Sequence, residues 1–159
     1  MADTRELESR FWKHLEDDRT VMLGGDGIAP RPMTAIAEDA QAPLWFFTAA
    51  DTALGEALDG QRSVQAIASF AAKDHSLFAA IGGDLVLDND PAVIDRLWNP
   101  FIAAWFEGKD DPKLRLLRMD TAGAHVWLNE NSMFAGVKML LGVDPKKSYR
   151  DKVGDVDLG

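Results

Sequence analysis

The segment Leu77–Leu87 constrains the fold more than any other part of the chain. It has the length and apolar content of a β-strand, and Gly82 and Gly83 interrupt it at its centre. A pair of glycines inside a strand is typical of a β-bulge or a sharp bend. Because such a bend lets an antiparallel sheet curl, this segment favours a small barrel.

Six other segments are predicted to be strands, and most of them are joined by short turns. They are Arg19–Leu23, Met33–Glu38, Leu44–Thr48, Val64–Ala71, Leu114–Asp120 and Ala124–Asn129. Short turns join antiparallel strands, whereas parallel strands need long crossovers. The sequence therefore predicts a mainly β protein built on a six- to seven-stranded antiparallel barrel, with residues 121–123 turning its last hairpin.

Helices are predicted at the edges of this barrel. They cover residues 4–18, Thr52–Leu58, 91–106 with a break at Pro100, and Ser132–Leu141. In the first of them Leu7, Phe11 and Leu15 recur at the spacing of one helical face. We expect one domain over residues 1–142, which includes the N-terminal helix, followed by a polar C-terminal tail over residues 143–159.

Composition excludes several classes of protein. The chain has no cysteine, so disulfides, thiol catalysis and cysteine-ligated metal centres are excluded. Its net charge of −9 argues against nucleic acid binding, which needs a basic face. The three histidines have no metal-ligand spacing, so no metal site is predicted. There is no apolar run of about 20 residues and no secretory signal pattern, so we expect a cytoplasmic protein that does not engage membranes.

The stretch from Arg31 to Thr48 is the first candidate binding site. It is predicted to be a hairpin around the polar break at residues 39–43. The Arg31 guanidinium suits a phosphate or carboxylate, the strand face around Met33 is apolar and small, and Thr48 adds a hydroxyl. Such a hairpin could hold a ligand with an anionic end and a flat apolar end. A core hairpin with one surface arginine is the alternative.

An aromatic segment spans the predicted break at Pro100. Trp98, Phe101, Trp105 and Phe106 fall within nine residues. Aromatic side chains in this density suit a subunit interface or a wall against a planar ligand. Plain packing against the barrel is the alternative.

Four motifs carry a resemblance to a known family. They are Arg31-Pro-Met-Thr, Leu44-Trp-Phe-Phe-Thr48, Leu97-Trp-Asn-Pro with Trp105-Phe-x-Gly-Lys-Asp-Asp-Pro112, and Leu116-Leu-Arg. Together they resemble the bacterial general stress proteins of the pyridoxamine 5′-phosphate oxidase-like, FMN-binding split-barrel superfamily, from about residue 5 to residue 142. The aromatic motif is the more specific to the stress-protein branch.

This resemblance implies a homodimer with FMN in clefts at the subunit interface. It assigns cofactor-binding roles to Arg31, Pro32, Met33, Thr34, Phe47, Thr48, Trp98 and Trp105. Arg31 would contact the flavin phosphate, with Thr48 nearby, and Trp98 and Trp105 could reach the flavin of the other subunit. No catalytic residue is assigned.

One departure from the family pattern concerns the phosphate. Relatives carry a lysine a few residues after the aromatic-Thr motif, and Leu54 stands at that place here. Losing one charge-assisted contact costs about 1.5–3 kcal/mol, so FMN could bind weakly or be replaced by another flavin. Arg62 or Lys73 could compensate. The arginine cluster for a substrate phosphate is also missing, so pyridoxamine phosphate oxidase activity is not expected.

Two functions remain open after the resemblance is taken into account. The first is a general stress protein that binds flavin, or senses flavin or redox state, at a dimer interface. The second is an FMN-dependent oxidoreductase that uses a nicotinamide or another reductant. The absence of an obvious acid or base beside the proposed ring favours the first. A binder of haem or a deazaflavin is a more distant alternative.

Overall fold

The computed structural model describes residues 4–60, 63–129 and 153–158. Over these ranges eight antiparallel strands form one sheet, and four helices accompany it. The helices are α1 (Thr4–Asp18), α2 (Ala53–Leu58), α3 (Pro91–Leu97) and α4 (Pro100–Ala103). The strands are β1 (Thr20–Gly25), β2 (Ile28–Thr34), β3 (Ile36–Glu38), β4 (Gln41–Ala49), β5 (Val64–Ala71), β6 (Leu77–Leu87), β7 (Leu114–Leu128) and β8 (Val153–Asp157).

The sheet is curled so that its two edges meet. Its strand order is β2-β1-β5-β6-β7-β4-β3, and β8 pairs with β7. The edge strands β2 and β3 are separated along the chain only by Ala35, whose N–H donates to the Arg19 carbonyl at 2.8 Å. Edges joined by a single residue must lie side by side, which a flat sheet cannot achieve. The predicted mainly β antiparallel split barrel is therefore confirmed.

The main core lies on the inner face of the curled sheet. On β5 the buried residues are Val64, Ala66, Ala68 and Phe70. From α1 the buried residues are Leu7, Phe11, Trp12 and Leu15. Both patterns confirm the predicted periodicities, of two for the strand and of one helical face for α1.

The predicted bulge lies at the glycine pair of β6, but its extra residue is on the partner strand, β7. The β6–β7 register shifts between Gly82 and Gly83. A Cβ atom on Gly83 would lie 2.5 Å from the Asp120 carbonyl oxygen, whereas one on Gly82 would meet nothing within 4 Å. Only Gly83 is therefore needed for the close approach of the two backbones, and Ala122 is the extra residue that β7 accommodates there.

The prediction that residues 121–123 turn a last hairpin is wrong. Residues 114–128 form the single strand β7, which pairs with β6 from Leu117 to Leu128. Gly123 does not turn the chain: a Cβ there would lie 2.9 Å from the Val156 carbonyl oxygen of β8. A glycine required by a bulge and a neighbouring strand has the same sequence pattern as a glycine in a turn.

The predicted hairpin from Arg31 to Thr48 is only partly correct. The hairpin is formed by β3 and β4, with Asp39 and Ala40 in the turn at φ values of 56° and 50°. Pro43, predicted to lie in the break, is inside β4. Arg31 lies on β2, which pairs with β1 instead of β4. The reason is that the chain changes partner at Ala35, where the barrel closes.

Two predictions concern the later helices and the tail. The break in the helix over residues 91–106 is confirmed: α4 starts at Pro100, and the Asn99 side chain accepts hydrogen bonds from the Phe101 and Ile102 N–H groups. The predicted helix Ser132–Leu141 lies outside the described residues. Within the predicted polar tail, the described part is β8 on the sheet, followed by the buried Leu158.

Candidate functional site

The candidate site is a gap between β2 and β4. The β3–β4 pairing ends at Ala35, beyond which β2 pairs with β1. If the β3–β4 register continued, Thr34 would stand opposite Phe47, and Met33 opposite Thr48. No strand pairs with that edge of β4 over the described ranges. We call this opening the β2–β4 gap, and its two edges carry six of the eight predicted site residues.

Two prolines shape the β2 side of the gap. Pro30 and Pro32 both lie in β2, which is an edge strand of the sheet. Proline cannot donate to a sheet ladder, so it is tolerated where its nitrogen faces the unpaired side. The nitrogens of Pro30 and Pro32 therefore face the gap, which leaves carbonyl groups and no N–H from these two residues. This protects the open edge against pairing with another strand.

Arg31 lies on the inner face of β2, directly opposite Leu23 of β1. Its side chain is half-buried and makes no hydrogen bond or ion pair within the described part of the chain. A guanidinium presents a planar set of donors that matches phosphate or carboxylate oxygens. Arg31 is thus a cation at the gap that the protein's own described residues do not neutralise.

The other residues of the Arg31 motif differ in what they can offer a ligand. Met33 shares the inner face with Arg31 and is only 9% exposed, because its side chain is part of the main core. Pro32 and Thr34 lie on the outer face and are exposed. Through its side chain, Met33 therefore contributes to the core more than to the gap.

Thr48 is buried at the end of β4, where its hydroxyl meets that of Thr52. The two Oγ1 atoms are 2.7 Å apart, and Thr52 Oγ1 also donates to the Ala49 carbonyl at 2.9 Å. A hydroxyl has one proton, so Thr48 is the donor in the Thr48–Thr52 bond. Thr52 in turn accepts from the Gly55 N–H and caps α2.

Helix α2 closes the end of the barrel beside the gap and contacts both β2 and β4. Leu54, where the family resemblance implies a lysine in relatives, is fully buried in the main core. Gly55 lets the helix sit directly on β4, since a Cβ there would be 2.2 Å from the Ala49 carbonyl oxygen. This helix has no basic residue, so no cation for a phosphate can come from it.

Phe47 and Trp98 lie in a second cluster on the outer face of the sheet. The buried members of this cluster are Trp45, Val93, Ile94, Leu114 and Leu116. Phe47 and Trp98 pack against it and remain partly exposed. Helix α3 is fixed there by Arg96, which donates to both carboxylate oxygens of Glu38 at 2.7 and 2.8 Å and lowers the pKa of Glu38. The structure therefore brings these two predicted site residues into one cluster.

Trp105 is placed differently from Trp98. It is 83% exposed, and Phe101 on α4 is 84% exposed. Neither belongs to the two clusters that the described residues form. The nearby loop is held by an ion pair between Lys109 and Asp95, which lowers the pKa of Asp95. Plain packing against the barrel accounts for Phe106 and Trp98 but not for Phe101 and Trp105.

Arg115 was missed by the sequence reasoning. It lies on β7 directly opposite Thr48 of β4, on the same face of the sheet. Its Nη1 donates to the Pro112 and Leu114 carbonyls, each at 2.9 Å. An arginine between apolar neighbours in a strand, as in Leu114-Arg-Leu, is the pattern that could have identified it. Its position beside Thr48 depends on the β4–β7 register, which sequence alone does not provide.

Lys73 and Arg62 are the two residues predicted to compensate for the missing lysine at position 54, and the structure describes only Lys73. Lys73 lies two residues after Ala71, which ends β5 and pairs with Phe78. That is the opposite end of the barrel from Thr48, because the start of β7 and the start of β5 lie together at the other end. Lys73 therefore cannot compensate. Arg62 lies outside the described residues.

A cleft of about 380 Å³ lies elsewhere on the described surface. It is lined by Asp26, Ala57, Ser63, Val64, Gln65 and Asp84. Two carboxylates and no basic residue line it, so it disfavours an anionic ligand. No group of three potential metal ligands occurs among residues 4–60, 63–129 and 153–158, and none of their helices is long and apolar enough to cross a membrane.

Comparison with known proteins identifies the family. The model of the pyridoxamine 5′-phosphate oxidase-like family matches residues 6–149. The chain therefore belongs to the pyridoxamine 5′-phosphate oxidase-like family, and the predicted resemblance is confirmed.

Three solved structures show which members of this group the chain is similar to. The general stress FMN/FAD binding protein of Xanthomonas citri is 54% identical, with 81% of this chain and 93% of that chain covered and a TM-score of 0.76. A general stress family protein of Xanthomonas campestris pv. campestris is 54% identical, with 83% and 93% covered and the same TM-score, 0.76. A general stress protein 26 of Jannaschia sp. CCS1 is 25% identical, with 98% and 99% covered and a TM-score of 0.79. A search of curated proteins found no match.

Proposed function

We propose that this protein binds a flavin, specifically FMN, in the β2–β4 gap. Arg31 is the observation that supports this most: it is a half-buried cation without a partner in the described part of the chain. Partly burying an unpaired charge is costly, and this chain has 26 acidic residues that could have paired with it. A ligand phosphate would supply the counter-ion. The 54% identity to a general stress FMN/FAD binding protein supports a flavin as that ligand.

The residues around the gap fit the parts of such a ligand. Arg31 and Thr48 would hold the phosphate, and Phe47 and Trp98 would border the flat ring on the outer face. For Thr48 to donate to a phosphate and keep its hydrogen bond with Thr52, the Thr52 hydroxyl must turn from the Ala49 carbonyl and donate to Thr48 instead. Of the remaining predicted site residues, Pro32 and Thr34 are exposed at the gap, and Met33 would contribute through its backbone.

Arg31→Ala should weaken FMN binding by about 2–4 kcal/mol, because the phosphate loses a charge-assisted, forked contact. Riboflavin, which has no phosphate, should lose much less, and added salt should narrow the difference between the two ligands. Titration of both flavins against wild type and Arg31→Ala measures this. Arg10→Ala, which removes an exposed arginine from α1, is the matched control and should leave both affinities unchanged. Equal losses for FMN and riboflavin would show that Arg31 supports the strand and not the phosphate.

We further propose that the protein binds or senses flavin without turnover of its own. A bound flavin supplies one- and two-electron redox chemistry. The residues proposed to border it offer a guanidinium, hydroxyls and aromatic rings, and none of them is a carboxylate or an imidazole that could exchange a proton near neutral pH.

Anaerobic addition of NADH or NADPH to the FMN-loaded protein should therefore leave the flavin absorbance unchanged. Reduction of the same preparation by dithionite is the control that the bound flavin is accessible to electrons. Prompt bleaching by either nicotinamide would instead support the alternative of an FMN-dependent oxidoreductase. The absorption spectrum of protein purified from its source separates FMN from haem and from a deazaflavin.

We also propose that the protein is a homodimer. Phe101 and Trp105 support this, since two large exposed aromatic side chains four residues apart in sequence are typical of an interface. Trp105 would then border the flavin of the partner subunit, as the family resemblance implies.

A further inference from the structure

We propose that Arg115 is a second cation for the ligand phosphate and takes the place of the lysine that this chain lacks. The inference rests on the proposed flavin site in the β2–β4 gap. It assigns a binding role to a residue on β7, a strand that carries none of the residues predicted from the sequence.

The β4–β7 register places Arg115 beside the site. Thr48 and Arg115 are direct partners in that register, and partners in an antiparallel pair project from the same face of the sheet. That face is the inner one, because the neighbouring pair on it is Phe46 with Leu117, both in the main core. Arg115 therefore stands on the same face as Thr48 and at the same end of the barrel.

Arg31 reaches this end from the other side of β4. It is also on the inner face, opposite the core residue Leu23. If the β3–β4 register is continued across the gap, the level of Arg31 is that of Ala50, two residues beyond Thr48. One arginine thus lies on each side of the end of β4. Two cations around one buried hydroxyl form a local positive site in a chain with a net charge of −9.

The Arg115 guanidinium is held in place but keeps donors to spare. Nη1 donates to two backbone carbonyls, of Pro112 and Leu114, at 2.9 Å each. Nε and Nη2 have no partner within the described ranges. A guanidinium anchored through one nitrogen loses less side-chain entropy when the remaining donors bind an anion.

Other basic residues at the described positions are poorly placed for this role. Helix α2 has none, since Leu54 is a core residue. Lys73 is at the opposite end of the barrel. Lys113 is exposed and precedes β7, with its carbonyl accepting from the Ala50 N–H at 2.8 Å. Lys113 is the control to compare with Arg115: it carries the same charge two residues away, but it is exposed and lies outside the β4–β7 register that places Arg115 opposite Thr48.

The test is to titrate FMN and riboflavin against wild type, Arg115→Gln and Lys113→Gln. Arg115→Gln should raise the Kd for FMN about 10- to 100-fold, the effect of losing one charge-assisted contact, and the Kd for riboflavin by less than about threefold. Lys113→Gln should change neither Kd by more than about threefold. Arg115→Lys keeps the charge but loses the forked set of donors. It should recover part of the FMN affinity that Arg115→Gln loses, whereas it should not recover a loss caused by altered packing.

Failure of this inference can be separated from failure of the proposed function. If wild type binds neither flavin, the proposed function fails. If Arg31→Ala weakens FMN selectively but Arg115→Gln behaves like Lys113→Gln, only the role of Arg115 is overturned. Equal losses of FMN and riboflavin in Arg115→Gln would also overturn it, since Arg115 would then act by holding Pro112 and Leu114. If Arg115→Gln does not fold, the same comparison of the two flavins in Arg115→Lys decides the question.

Discussion

Leu54→Lys is expected to lower the free energy of unfolding by about 3–5 kcal/mol and to leave FMN binding no stronger. Leu54 is fully buried in the main core, so removing its side chain costs about 2–5 kcal/mol by itself. A lysine there must either bury an ammonium group or force α2 away from the barrel end, and both add to the loss. Urea unfolding measures the stability, and FMN titration of the folded variant measures the affinity.

This substitution tests the difference that the family resemblance implies, a lysine in relatives at the position of Leu54. Ala53→Lys is the matched control, because Ala53 is the exposed neighbour of Leu54 in α2 and can gain the same charge without entering the core. It should change stability by no more than about 0.5 kcal/mol. Suppose instead that Leu54→Lys were as stable as wild type and bound FMN at least tenfold more tightly. Position 54 would then be a phosphate-binding position, and the burial of Leu54 would not be needed for stability.

The barrel could be predicted from sequence because its strands have local patterns. The alternation in β5 indicates a strand with one buried face. The glycine pair in β6 indicates a bulge at that point of the sheet. The wrong prediction at residues 121–123 has the same origin: the sequence pattern at Gly123 predicts a turn, because nothing in the sequence shows that β8 passes beside it. A glycine identifies an unusual backbone requirement but not its cause.

Only those residues of the candidate site that stand out by their type or by a short motif could be predicted from the sequence. Arg31 and Thr48 stand out by residue type and motif, and the structure sets both at the end of the barrel beside the β2–β4 gap. Arg115 could not be identified, since its relation to Thr48 is a pairing between strands more than 60 residues apart in sequence. The burial of Met33 was also missed, because it follows from the curl of the sheet and the chain's change of partner after β2.

The double variant Phe101→Ser/Trp105→Ser is expected to turn a dimer into a folded monomer. Each side chain is more than four-fifths exposed and outside both clusters formed by the described residues, so removing it should leave the stability of the subunit nearly unchanged. Large aromatic residues at the centre of an interface contribute about 2 kcal/mol or more each. Because the two subunits together lose four such side chains, the dimer Kd should rise by at least about 1,000-fold, which sedimentation equilibrium at micromolar concentration detects.

Ile67→Ser is the matched control for this double variant, because it removes an exposed apolar side chain, 58% accessible, from β5 and not from the aromatic segment. It should leave the dimer intact, which separates a specific interface from a general loss of surface hydrophobicity. The monomeric double variant should also bind FMN more weakly than wild type, since Trp105 would no longer reach the partner's gap. A wild-type protein that sediments only as a monomer, or a double variant that stays dimeric, would contradict the proposed interface. A monomer that binds FMN as tightly as wild type would show instead that one subunit completes the gap alone.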